Sequence, residues 1–565
     1  MFRLKAWWLG FKLPVFITLF LSLLALAGLG WYFYETEGFA SNAVHMTAMG
    51  AAMISALVFL TRRPFASSVF VASLVAVIAI TAYVKFETLT FTLHMWDFVY
   101  YAHDWMPVFG WWFGRPLAML AIIGALVSLT LGTWFAWRLE RPSIRRRWSF
   151  LSMVLLAAVS YTAVTIRGHR PHVLFNFPDW HVSSFFASSL ETTQALMRGG
   201  MIETAQRSNA KPFEPGGNCK PQTKPPHIIL IHQESVGPPM FFPQVTYDPV
   251  ILPLFNSFDG KLHKLNVETY GGASWISESA VMLGLSSRYF GSMKDFIQYF
   301  MAGRVKESMP QILEKCGYRN IMFYPYIFGT FGNKIFFETI GIREVFDRKA
   351  QGAKLDWDTD RFYYDNMLNE IGKHVAGSQK PLFTFLETMS AHWPYNYEFE
   401  PQIKVPTGGP NNHPEMNEYL RRLAMARIDL DYLKEQLRTR FPGESFLLVQ
   451  YGDHHAIPAA YLYGYETETG VQDMKLPEGY PLYTTYYSVD GVNYTPPPLP
   501  ELESIDIAFI GAVFLDAARL PLPESWRERL RLMQVCAGQA WNCKSRDEML
   551  KFHRRLIESG LMQNR

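Results

Sequence analysis

The spacing of apolar residues divides the chain into two stretches of different character. Over the first 170 positions, long runs of Leu, Ala, Val, Ile and Phe are scarcely interrupted by charge; from His227 onward the runs shorten and alternate with segments of helical spacing. A membrane-spanning helix needs roughly 20 mainly apolar residues. Five stretches meet that requirement, at 13–34, 43–60, 67–84, 117–137 and 149–166. The first is long, is followed by further spans and has no small-residue cleavage pattern after it, so it is expected to remain as an anchor.

Basic residues orient the spans. Arg3, Lys5 and Lys12 precede the first, Arg62 and Arg63 separate the second from the third, and Arg138, Arg141, Arg145, Arg146 and Arg147 crowd the turn between the fourth and fifth. These segments are expected in the cytoplasm, and an odd number of spans then delivers everything after Thr165 to the other side. Between spans three and four, FTLHMWDFVYYAHDWMPVFGWWFG interleaves Trp and Tyr with Asp97, His103 and Asp104, and reads as an interfacial segment. WHVSSFFASSLETTQALMRGGMIETAQ reads as an amphipathic helix on the membrane, and KPFEPGGNCKPQTKPP as a linker.

Beyond the linker the alternation of short apolar runs and helices predicts an α/β sheet. The expected strands are HIILIHQES, NIMFYPY, PLFTFLET and SFLLVQYGD. The domains are therefore expected at 1–166 (five transmembrane helices), 167–224 (interfacial helices and linker) and 225–565 (extracytoplasmic catalytic domain).

Composition supports a lipid partner: 49% of residues are hydrophobic, 15% aromatic and only 18% charged. The net charge of +3 is small, and the basic residues sit beside apolar runs rather than along a stripe, so no nucleic-acid partner is indicated. Cys219, Cys316, Cys536 and Cys543 all lie on the outer side of the expected topology, where disulfides form. Cys536 and Cys543 are near enough in sequence for a small staple and Cys219 then pairs with Cys316, although two other connectivities exist.

In open α/β sheets ligands bind beyond the carboxyl ends of the strands. Two runs end there in metal-ligand types: Glu234 after IILIHQ, and Asp453, His454 and His455 after FLLVQYG. A carboxylate and an imidazole on one tight turn suit a divalent cation. The third element is NVETYGGASWISESAVMLGLSS. Gly271 and Gly272 permit a tight turn, and Ser274 then stands at a helix N-terminus that favours anions. A hydroxyl there serves as metal ligand and nucleophile, or as a helix cap, and Thr269, Ser277 and Ser279 compete for the role.

The order of these motifs resembles the alkaline phosphatase superfamily, in particular its membrane-bound sulfatase-like branch, which contains lipoteichoic acid synthase, the phosphoglycerol transferases of periplasmic glucans and the lipid A phosphoethanolamine transferases. Glu234 in IHQES matches the Glu ending the first strand, GGASWISE matches the nucleophile turn with Ser274 at the threonine position and Glu278 at the acid, and Gly452, Asp453 and His454 match the Gly-Asp-His motif. TMSAHWPY nominates His392 as a substrate contact, and Asp506 falls at a structural position. FGNKIFFETIG aligns with a segment that carries Trp and Arg in lipoteichoic acid synthase, but reads Gly332 and Lys334 here.

The resemblance implies a multi-pass protein of the inner (plasma) membrane, with a sulfatase-like catalytic domain in the periplasm or outside the cell. It implies one divalent ion (Mn, Zn or Mg) held by Glu234, Ser274, Asp453 and His454, catalysis by Ser274 and His392, and substrate contacts from His392, Lys334 and His455. The implied reaction moves phosphoglycerol or phosphoethanolamine from phosphatidylglycerol or phosphatidylethanolamine to a glycan or glycolipid acceptor. TMSAHWPY favours phosphoglycerol. A hydrolase and an inactive lipid-binding regulator are the alternatives; no C/S-x-P-x-R motif follows Ser274, which disfavours sulfate ester chemistry.

Overall fold

The computed structural model describes residues 12–564 except 38–39, 90–92, 102–111, 166–181, 199, 207–210, 215–218, 222, 330–332, 355–357 and 460–480. His103, Asp104 and Gly332 thus lie outside the described residues. The chain forms two compact units, Met1–Arg198 and Gly199–Arg565.

Unit one is helical, and every expected span is a helix. They run Val15–Thr36, Ala40–Thr61, Pro64–Leu89, Pro116–Leu139 and Arg146–Thr165, the fourth with a π-helical turn at Ser128–Gly132. Among the described residues, four are long and apolar enough to cross a membrane; the fifth, opening with Arg146 and Arg147, packs along Ala40–Thr61. Leu29, Phe33, Met46, Ile54, Val71 and Val75 are among the residues that fill the space between the helices.

The basic segments expected on one side of a membrane meet at one end of this bundle. Lys12 Nζ donates to the Arg138 carbonyl, Arg62 Nε donates to the Ile144 carbonyl at 3.1 Å, and Arg63 donates to the Trp137 carbonyl. Glu140 accepts the backbone N–H groups of Phe65 and Ala66, satisfying donors that the start of the third helix leaves open. Elsewhere, Glu37 accepts the N–H groups of Val182 and Ser183 and so caps the helix Val182–Arg198. A buried Lys85–Asp97 pair at 2.8 Å ties the third span to the helix Met95–Tyr101.

Among the described residues, unit two is an eight-stranded sheet with helices around it. In chain order the strands are β1 His227–Gln233, β2 His263–Asn266, β3 Arg319–Phe323, β4 Glu344–Phe346, β5 Leu382–Glu387, β6 Phe446–Gly452, β7 Thr484–Val492 and β8 Ser504–Asp506. The spatial order is β4-β3-β5-β1-β6-β7-β2-β8, with β7 antiparallel to both neighbours and all other pairings parallel. The four expected strands are β1, β3, β5 and β6. β1, β5 and β6 are buried along their whole length, as parallel strands covered on both faces must be, which explains their near-continuous apolar runs.

Register places the site. His232 pairs with Glu387 across β1 and β5, and Gln233 with Gly452 across β1 and β6. Glu234 and Asp453, the next residues along, therefore leave neighbouring strands at the same level. Both disulfides form as expected, Cys219–Cys316 and Cys536–Cys543. At the far end of the chain, the Asn564 carbonyl accepts the Met201 N–H at 3.1 Å and the Asn564 side chain accepts the Ile202 N–H at 2.7 Å, joining the last residues to the first of this unit.

Candidate metal and nucleophile site

The turn before Ser274 follows from backbone conformation. Gly271, Gly272 and Ala273 all have positive φ, at 68°, 157° and 63°, and the helix Ser274–Leu283 begins directly after them. A left-handed alanine is uncommon, and such strained residues concentrate at functional sites. The turn places Ser274, half-buried, as the first helical residue. Its Oγ donates to Glu234 Oε2 at 2.7 Å and lies 3.3 Å from His454 Nε2. The competing hydroxyls are engaged elsewhere: Thr269 with the Gly272 carbonyl, Ser277 with the Asp453 carbonyl and Ser279 with the Trp275 carbonyl.

Around Ser274 Oγ the structure gathers Glu234, Asp453 and His454 from the sequence reading, and adds His232. His454 Nε2 is 3.1 Å from Asp453 Oδ2 and 3.5 Å from Glu234 Oε1. His232 Nε2 is 3.2 Å from Asp453 Oδ2 and 3.9 Å from Glu234 Oε2. Ligand atoms of His232, Glu234 and Asp453 all lie within 4.8 Å of one another. His232 sits inside an apolar strand, where a histidine reads as core; the available signal was that it and Glu234 are two residues apart and so project to the same side of β1.

Neighbouring groups hold these side chains. His454 Nδ1 donates to the His455 carbonyl at 3.0 Å, which puts the lone pair on Nε2, facing the cluster. The same carbonyl accepts the Gly271 N–H at 3.1 Å, so one oxygen braces the imidazole and the nucleophile turn. Asp453 Oδ1 accepts the N–H groups of Ser235 and His454, both at 2.8 Å, turning Oδ2 toward the imidazoles. His232 Nδ1 pairs with the Tyr451 hydroxyl at 2.7 Å.

The fit to a divalent cation rests on what the protein leaves unsatisfied. Among the described residues, Asp453 Oδ2 and His232 Nε2 are buried without an aligned hydrogen bond, although they are close. Burial would raise the Asp453 carboxyl, but the imidazoles of His454 and His232 outweigh it and hold the group below the usual carboxylate range. Burial would lower His232, but Asp453 outweighs it and raises the imidazole. Glu278 and Glu387 lie in the same chamber, and burial pushes both carboxyls up. Four fully buried carboxylic groups, with no buried Lys or Arg hydrogen-bonded to them among the described residues, form a site that a cation relieves, and the mixed oxygen and nitrogen donors suit Mn, Zn or Mg.

The other expected contacts are less central. His392 is half-buried on the loop after β5, with its Nδ1 against the Trp393 carbonyl. His455 is 1% exposed, its Nε2 2.8 Å from the Thr484 carbonyl and its ring edge-on to Phe242, and burial lowers it to about 4. Those contacts make it a neutral brace; a Cβ on Gly237 would lie 2.0 Å from its Nδ1. Lys334 is largely exposed on the helix Asn333–Thr339, with its Nζ 3.9 Å from Glu338. Asp506 is structural: Oδ1 accepts from Asn266 at 2.9 Å and Oδ2 from the Ala540 N–H at 2.6 Å, and burial raises the group to about 6.

Residues 226–477 match the sulfatase family. That match lies within the second unit, over the residues that carry the motif order described above. An uncharacterised protein of Haemophilus influenzae is 24% identical over 314 residues, 53% of this chain and 54% of the relative, so the chain spans about half the length of the curated relative it matches. Among solved structures, the phosphoglycerol transferase GacH of Streptococcus pyogenes, in complex with sn-glycerol-1-phosphate, shares 15% identity over 61% of this chain and 92% of its own, with a TM-score of 0.48. The lipooligosaccharide phosphoethanolamine transferase EptA of Neisseria meningitidis shares 12% identity over 86% and 97%, with a TM-score of 0.42.

Proposed function

We propose that this protein is a membrane-anchored, metal-dependent transferase. It takes a phosphoglycerol or phosphoethanolamine headgroup from phosphatidylglycerol or phosphatidylethanolamine, holds it on Ser274, and passes it to a glycan or glycolipid of the cell envelope. The observation that carries this reading is a serine hydroxyl on a helix N-terminus, 2.7 Å from a buried carboxylate and 3.3 Å from an imidazole, in a chain with helices apolar enough to anchor it in a membrane.

His232, Glu234, Ser274, Asp453 and His454 would hold the ion, which when bound neutralises phosphoryl charge and lowers the pKa of a coordinated hydroxyl. Ser274 Oγ attacks phosphorus while its proton passes toward Glu234 Oε2. The diacylglycerol oxygen departs and takes up a proton, leaving a phosphodiester on Ser274. An acceptor hydroxyl then loses its proton and attacks the same phosphorus, and Ser274 Oγ leaves as a hydroxyl. Partial positive charge at the start of the helix Ser274–Leu283 favours the anionic centre in both steps. His392 is assigned to the phosphate or the acceptor hydroxyl.

The test is incubation of purified protein with labelled phosphatidylglycerol and phosphatidylethanolamine, followed by mass spectrometry of the peptide containing Ser274. The expected result is a headgroup adduct and diacylglycerol release from one lipid, both absent in Ser274→Ala. No adduct and no diacylglycerol, with wild type and variant indistinguishable, would overturn the reading. Adduct turnover to free headgroup phosphate whatever acceptor is supplied would identify a hydrolase instead.

A further inference from the structure

One turn of the helix Pro414–Arg440 carries three charged residues, Glu418, Arg421 and Arg422, that are 9%, 3% and 1% exposed. All three hold the backbone of the loop that follows β5, the loop bearing His392. Arg422 Nη1 donates to the His392 carbonyl at 2.7 Å, Nη2 donates to the Pro394 carbonyl at 2.8 Å and the Tyr397 carbonyl at 3.4 Å, and Nε donates to Glu418 Oε1 at 2.7 Å. Glu418 Oε1 also accepts the Phe399 N–H at 2.9 Å. Arg421 donates to the carbonyls of Ile403 and Phe399 and to Glu418 Oε2. The rings of Tyr395, Tyr397 and Phe399 each stand 5.1 Å from the Arg422 guanidinium.

We propose that Arg422, backed by Glu418, is the residue that positions His392 over the reacting phosphate. The inference rests on the transferase reading above. Burying two guanidiniums against one carboxylate is a poor way to gain stability, because desolvation offsets the Coulomb attraction and apolar packing would hold a loop to a helix as well. What a guanidinium supplies is a rigid planar fork whose N–H groups reach several acceptors at once. Here they reach carbonyls of residues 392, 394 and 397, which fixes the path of the chain from the imidazole's own residue onward. The Trp393 carbonyl accepts from His392 Nδ1 within that same path, so the loop conformation also sets which ring nitrogen carries the lone pair. Lysine has one nitrogen and cannot reproduce the fork.

Full-length protein in detergent is assayed for diacylglycerol release as wild type, Arg422→Lys, His392→Ala and the double variant, with melting temperature and metal content recorded for each. Arg422→Lys is expected to lower kcat/KM by about tenfold or more while metal content is retained, and to add less than about twofold in the His392→Ala background, because a residue acting through another has nothing left to lose once that partner is gone. Glu418→Gln should follow the same pattern with a smaller loss. Independent losses that multiply in the double variant, or full activity in Arg422→Lys, would overturn the proposal. A second readout needs no turnover: the rate at which diethyl pyrocarbonate modifies His392, measured by mass spectrometry against His263 and His413, should change at least threefold in Arg422→Lys, and an unchanged rate would overturn the proposal. Ser274→Ala serves as the separate control, since activity retained there defeats the transferase reading and leaves the chemical-modification result to judge Arg422.

Discussion

At the scale of residues, the site is a set of donors whose orientations are fixed by neighbouring groups: the His455 carbonyl, the Ser235 N–H and the Tyr451 hydroxyl. Removing one donor should release metal before it disturbs the fold. Asp453→Asn and His232→Gln are each expected to weaken metal affinity by about 10- to 100-fold, read as metal retained after dialysis against a graded chelator. Unchanged content in His232→Gln would return the ligand set to Glu234, Ser274, Asp453 and His454. Those four were legible in the sequence because each stands where a strand or a glycine turn ends in a polar residue. His232 was not, because it lies within an apolar run, where one polar residue is ordinarily a satisfied core group; Glu387, the last residue of β5, resembles any strand-end carboxylate, and only its pairing with His232 across β1 and β5 shows that both face one chamber.

At the scale of elements, the helix Ser274–Leu283 is fixed at both ends. Its start is set by the positive-φ turn, and its end by Gly284 at φ 63° and by Arg529, which donates to the carbonyls of Gly284 and Leu283, both at 3.0 Å. Arg529 is buried, and burial lowers it to about 10. Arg529→Met should leave those two carbonyls unsatisfied and destabilise the unit by about 2–4 kcal/mol, measured by chemical denaturation, with a parallel fall in the rate of Ser274 adduct formation. Stability within 0.5 kcal/mol of wild type, to the order of measurement error, would show that water replaces the guanidinium. The central parallel strands were legible because burial on both faces demands uninterrupted apolar runs. β2, β4 and β8 were not, being only four, three and three residues long, and β7 was obscured by Asp490 and Gly491 within its span.

At the scale of the whole molecule, one buried histidine and one long-range cross-link each contribute to the stability of the second unit. His553 is fully buried, its Nδ1 2.9 Å from the Glu203 carbonyl, and burial lowers it to about 4. With a folded value below the unfolded 6.5, the unfolded chain takes up the proton first as pH falls. The contribution is therefore complete above about pH 6.5 and is lost between there and about pH 4, amounting to about 3 kcal/mol at most. His553→Gln should flatten the fall in melting temperature over that window, and an unaltered profile would place the acid sensitivity elsewhere. The Cys219–Cys316 bond closes a separation of 97 residues, and Cys316→Ser should lower the stability of unit two by about 2–4 kcal/mol in a denaturant titration. The joining of Asn564 to Met201 and Ile202 has a consequence of its own. A folded body whose entry and exit touch is topologically a ring, and a ring can be opened at another point. A permuted second unit, its old ends fused by a short linker and its new ends placed in a surface loop, should keep the same sheet order and the same cluster of His232, Glu234, Asp453 and His454.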